Sequence, residues 1–116
     1  MILTHKLCAW ALLILGAIHV GYTAIAYKTW SLQAAWFLGA GLSFIFLGLL
    51  NLATVVSFPV RTVVWSCFIA NLLGLAFLAG VVVLLPKPQA FIGVVLMLIL
   101  LGTTTRLGRK QVKRVA

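Results

Sequence analysis

The sequence predicts an all-α integral membrane protein, a bundle of four transmembrane helices with both termini cytoplasmic. Three observations predict it. The 116 residues are 65% hydrophobic and only 8% charged, whereas roughly a quarter of a soluble domain is charged. The apolar residues fall into four long stretches, and a bilayer core about 30 Å thick asks for roughly 20 such residues per helix. The nine Lys and Arg residues gather at the ends of those stretches, and the chain contains no Asp or Glu.

The first span runs from about Leu7 to Tyr27 and closes at Lys28. The second begins near Trp30 or Ser31 and continues to about Val56, where Ser57-Phe58-Pro59 stops it. The third follows Arg61 and ends at Leu85. Pro86-Lys87-Pro88 then makes a rigid turn, because proline fixes φ and biases the residue before it away from helix. The fourth span runs from about Gln89 to Thr105, leaving a basic tail over 106–116. No stretch alternates with period two, which excludes a barrel. The four spans and the tail make one domain. Ala24-Ile25-Ala26 resembles a small-residue cleavage site, the mark of a signal peptide. The apolar stretch before it exceeds a signal peptide's core and contains Gly16, His19, Gly21 and Tyr22, so the first span is expected to be retained.

Charge sets the direction. Four spans put both termini on one side, which collects Lys6, Arg61, Arg106, Arg109, Lys110, Lys113 and Arg114 against Lys28 and Lys87 opposite. Cytoplasmic loops carry the excess of Lys and Arg, so that side is read as the cytoplasm. Trp10, Trp30, Trp36 and Trp65 fall near span ends, where aromatic belts lie. A net charge of +9 would suggest nucleic acid in a soluble chain. Here the charges sit at headgroup depth, so the expected partner is anionic lipid and no nucleic acid. Arg106, Arg109, Lys110, Lys113 and Arg114 are the contact candidates, a cluster that also serves to fix topology.

Spans two and four echo each other at an offset of 54, with Phe37 and Phe91, Gly39 and Gly93, Leu42 and Leu96, Gly48 and Gly102 in register. Trp10 and Trp65, with Ile14 and Ile69, match at 55. An offset of two spans relates hairpins of one orientation, so the echo predicts a parallel duplication. Small residues recur at spacing four, as Ala17/Gly21, Ala35/Gly39/Ser43, Ala70/Gly74 and Ala76/Gly80, with Gly41 and Gly48 a heptad apart. Such stripes let helix backbones approach closely in lipid, within one chain or between copies.

Polar residues inside spans are costly and mark candidate sites. Gly16, His19, Tyr22, Thr23 and Ala26 share one face of span one; Cys67, Asn71, Gly74 and Leu78 share one face of span three. The expectation is a small polar interior with His19 and Asn71 at its centre. His19, Tyr22, Ser43, Asn51 and Asn71 are the candidate ligand-binding residues. The bland reading is that His and Asn merely hydrogen-bond between helices.

Without a carboxylate the chain lacks the usual groups for acid–base catalysis, proton coupling and hard-metal binding. Haem with two axial histidines is excluded, because His5 and His19 lie about 21 Å apart along one helix. No metal-ligand set is seen, a Ser/His pair would lack its orienting acid, and no cofactor or enzymatic activity is expected. Cys8 and Cys67 form no C-x-x-C and are read as unpaired packing residues.

Trp36-Phe37-Leu38-Gly39-Ala40-Gly41-Leu42 followed by Gly48-Leu49-Leu50-Asn51-Leu52, with His19-x-x-Tyr22 before them, resembles a group of small four-span bacterial inner-membrane proteins of unassigned function. The resemblance covers about the first half of the chain and implies a bacterial inner-membrane location. In topology the chain is also similar to DoxX-like proteins, whose charged interhelical residues it lacks, and to small multidrug-resistance transporters, whose intramembrane Glu it lacks. The leading expectation is a non-catalytic membrane protein whose interior around His19 holds a small lipophilic or weakly polar ligand. The alternatives are a dimeric small transporter or pore, and an accessory subunit or assembly factor of a larger membrane complex.

Overall fold

The computed structural model describes residues 2–56 and 60–115, and side chains as far as residue 109. It contains four helices: α1 (Ile2–Ala26), α2 (Leu32–Val56), α3 (Arg61–Leu84) and α4 (Pro88–Val115). Each includes a segment long and apolar enough to cross a membrane. The fold is therefore an all-helical, four-helix arrangement of the kind that suggests a multi-pass membrane protein.

Local chemistry places the ends. Ser31 caps α2, its Oγ accepting the Ala34 N–H at 3.2 Å. Pro88 opens α4 at the first helical position, where the N–H it lacks would be unpaired anyway. Two helices begin or end elsewhere than the hydropathy pattern suggests. α1 starts at Ile2 rather than near Leu7, because His5 finds partners on neighbouring helices and so belongs inside the bundle. α4 does not stop at Thr105. Neither Arg106 nor Gly108 breaks it, since Leu107 is buried and Gly108 lies against Val64 of α3. The expected stop at Ser57-Phe58-Pro59 lies outside the described residues.

Short links make α1 and α2 antiparallel neighbours, and likewise α3 and α4. α1 also meets α4, and α2 meets α3, so the helices form a ring in chain order. One end of the bundle, the terminal end, carries both chain termini; the other, the turn end, carries the α1–α2 and α3–α4 links. The core of Cys8, Ala9, Leu12, Leu78, Met97 and Leu100 draws on α1, α3 and α4, flanked by Phe44, Leu47 and Leu52 of α2. Large apolar side chains such as Ile25, Val83 and Leu84 point outward, as lipid-facing positions do.

The tightest seam lies between α1 and α2. A Cβ on Gly16 would lie 2.7 Å from the Gly41 carbonyl, and one on Gly48 would lie 3.0 Å from the Ala9 carbonyl. The heptad glycines Gly41 and Gly48, with Gly16, are thus the close-approach positions. Several glycines of the spacing-four stripes are not, since a Cβ added to Gly21, Gly39 or Gly80 would meet nothing within 4 Å. The echoed pair Gly48 and Gly102 also part company, for Gly102 faces open space.

Candidate functional sites

The polar residues of the interior separate into two layers. The first, toward the terminal end, joins all four helices. Asn51 of α2 and Asn71 of α3 exchange amide hydrogen bonds at 2.8 and 2.9 Å. The Asn51 amide also donates to the Leu47 carbonyl, and its Oδ1 accepts from the Cys67 thiol at 3.1 Å. The Asn71 amide donates to Thr104 Oγ1 of α4 at 3.1 Å. His5 of α1 closes the ring. Its Nε2 lies 3.2 Å from the Asn51 carbonyl, which can only accept, so Nε2 carries the proton. The neutral ring then presents a lone pair at Nδ1, and the Thr103 hydroxyl donates to it at 2.6 Å.

Periodicity explains why these residues converge. His5, Cys8, Ala9 and Leu12 occupy one stripe of α1, and Val64, Cys67, Asn71 and Leu78 one stripe of α3; all are buried. Leu100, Thr103, Thr104 and Leu107 do the same on α4, and Gly48, Asn51 and Thr54 on α2. Thr54 and Thr104 return their hydroxyls to carbonyls one turn back on their own helices, at 2.8 and 2.7 Å. The layer is saturated: every group that water would have served has a protein partner.

The second layer lies toward the turn end, between α1 and α2. The His19 ring stacks on Phe37 with centroids 3.8 Å apart and meets Phe44 edge-on at 6.1 Å. Tyr22 and Tyr27 also approach Phe37, tilted to its ring, at 6.2 and 5.6 Å. Within this layer His19 Nε2 is buried and has no hydrogen-bond partner. Around the α1–α2 link the hairpin forms an open groove of about 280 Å³, lined by Val20, Thr23, Tyr27, Lys28, Ala34 and Leu38 among others, and not by His19, Phe37 or Phe44. Thr23 donates to the His19 carbonyl at 3.0 Å, tying the groove wall to the His19 turn.

The structure thus brings Asn51 and Asn71 together but places His19 elsewhere. The α1–α2 register decides this, since Gly16 sits against Gly41 and Ala9 against Gly48. His19 is therefore level with Phe37, while Asn51 is level with His5, about 21 Å away along α1. Tyr22 is half exposed on the outer surface of the hairpin. Ser43 is exposed and bonds to the Gly39 carbonyl of its own helix at 2.9 Å, joining neither layer. Arg106 and Arg109 are exposed; the side chains of Lys110, Lys113 and Arg114 lie outside the described residues. Both cysteines are free and buried. Among the described residues no three His, Cys, Asp or Glu side chains come together.

His5, Thr103 and Thr104 complete the polar layer, and sequence reasoning does not single them out. Their signal is the buried stripe itself: His5 precedes Cys8 and Leu12 by three and seven residues, the spacing of one helix face. No family model matches this chain, and no curated protein or solved structure is significantly similar to it.

Proposed function

We propose that the chain is a non-catalytic, multi-pass membrane protein that holds a small lipophilic or weakly polar molecule at the α1–α2 aromatic layer around His19. One observation carries this reading. Among the described residues, His19 Nε2 is the buried side-chain nitrogen left without a partner, in a molecule that satisfies its other buried side-chain polar atoms. An unmade hydrogen bond in a low-dielectric interior costs about 1–3 kcal/mol, so it calls for a partner. A ligand hydroxyl or N–H would supply one. The Phe37 and Phe44 rings packed against His19 give the ligand's lipophilic part an aromatic surrounding.

The polar layer near the termini does not support a pore, since its groups are spent on one another and leave no row of free donors and acceptors. We read it as the clasp that holds the four helices in register. The bacterial inner membrane is the proposed location, with both termini in the cytoplasm. Seven cations at the terminal end against two at the turn end support that orientation.

Native mass spectrometry of the protein released from nanodiscs tests the ligand. The expected result is a discrete added mass on the wild type that His19→Leu loses while keeping its helical circular-dichroism spectrum. A bare wild-type protein carrying only bulk lipid, or an added mass that survives the substitution, overturns the reading.

A further inference from the structure

The terminal end holds Lys6, Arg61, Arg106, Arg109, Lys110, Lys113 and Arg114, and no carboxylate side chain exists anywhere in the sequence to neutralise them. No side chain of these 116 residues supplies their counter-charge. Five of them lie on α4. α4 is one unbroken helix to Val115, so the basic residues after Thr105 follow helical spacing along it. One side of this segment is fastened to the bundle: Leu107 is fully buried and Gly108 lies 3.5 Å from Val64 of α3 when given a Cβ. Arg106 and Arg109 are exposed, three residues apart on the side away from that anchor. By helical spacing, positions 110 and 113 continue the same stripe, whereas 114, seven residues after Leu107, falls toward the anchored side.

Depth selects the partner. The apolar run of α4 gives way at Thr103-Thr104-Thr105 and the cations begin at Arg106, so the stripe starts where the apolar stretch ends and continues for about two and a half turns, to Val115. That interval is headgroup depth. Arg61, exposed at the start of α3 and one turn before Val64, adds a cation beside it. We infer that the last turns of α4, with Arg61, form a docking surface for anionic phospholipid headgroups of one leaflet. An acidic protein would have to meet the stripe at a depth that lipid headgroups already fill.

Nanodiscs with phosphatidylglycerol and phosphatidylcholine in equal amounts test this without dependence on insertion direction, because both leaflets are the same. The readout is the ratio of the two lipids retained on the protein in native mass spectra. The wild type should retain phosphatidylglycerol in excess. Arg106→Gln with Arg109→Gln should reduce that excess by roughly fivefold per charge removed, following the typical attraction of one basic residue to an anionic surface. Arg106→Lys with Arg109→Lys should keep it, and Lys28→Gln with Lys87→Gln at the turn end should change it little. Equal retention of both lipids by the wild type overturns the inference, as does a preference that survives the glutamine pair. An acidic protein copurifying with the wild type but not with the glutamine pair, without lipid preference, would assign the surface to a protein instead. His19 is untouched by these variants, so this result and the ligand result fail separately.

Discussion

The two histidines of this chain lie on the same helix and do opposite things. His5 is enclosed by α2 and α4 and uses both ring nitrogens, one on the Asn51 carbonyl and one on Thr103. His19 lies against aromatic rings and leaves Nε2 unpaired. In lipid the hydrophobic effect hardly distinguishes one helix surface from another, so interhelical hydrogen bonds and close backbone approach must specify the bundle. The His5 layer supplies the hydrogen bonds. The His19 layer leaves one polar atom unsatisfied and so adds less to specificity; under the proposed function that atom is where a ligand would pair. The contrast separates a histidine whose hydrogen bonds join helices from one whose Nε2 is left without a partner.

The sharpest way to break the contrast is to cut the clasp. Asn71→Leu removes the bonds to Asn51 and Thr104 and leaves the Asn51 amide facing an apolar side chain. The expected cost is about 2–3 kcal/mol, toward the upper end for a buried group deprived of its partner. Reversible unfolding in mixed detergent micelles would measure it. Because the two amides satisfy each other, Asn51→Leu with Asn71→Leu should cost clearly less than the sum of the single substitutions. Additive costs would show that the layer is not a cooperative unit.

A second comparison sharpens the same point for backbone packing. Gly16→Ala places a methyl group 2.7 Å from the Gly41 carbonyl, backbone against backbone, with no flexible side chain to yield. The helices of the hairpin must separate, at a cost of about 1–3 kcal/mol. Gly39→Ala adds the same methyl group to open space and should change stability by no more than about 0.5 kcal/mol. Equal effects in an unfolding assay would mean that the seam does not lie where Gly16 meets Gly41.

These differences also show what a sequence can and cannot display. Four helices were legible because span length and charge placement follow from bilayer thickness, whatever the packing. The face of α3 bearing Cys67, Asn71, Gly74 and Leu78 was legible too, since its polar and small residues recur at helical spacing and do turn inward. The meeting of His19 with Asn71 was not legible and does not occur. Depth counted along each span cannot reveal interhelical register, which here depends on Gly16, Gly41 and Gly48 locking α1 to α2. Nor could spacing tell closed glycines from open ones: Gly48 and Gly102 answer each other in sequence, yet only Gly48 faces a neighbouring helix closely. His5 stands near the chain start among polar residues, where a helix end exposed to headgroups is the ordinary outcome. Its partners come from positions 51 and 103, and only the folded bundle brings them together.

The smallest effect on folding should come from His19, and that is its diagnostic value. His19→Phe keeps a flat ring on Phe37, so the stacking that such pairs contribute, about 0.5–1.5 kcal/mol, is largely preserved. It also removes a buried nitrogen that has no partner to lose. Stability should stay unchanged or rise, by no more than about 1 kcal/mol, because the penalty for an unmet hydrogen bond disappears. The same unfolding assay used for Asn71→Leu reads this out. A loss above about 1 kcal/mol would mean that a ring nitrogen of His19 is bonded within the folded protein, making His19 a second clasp. A stable variant that also lacks the copurifying mass would show the reverse: a residue that folding does not need, kept for what it binds.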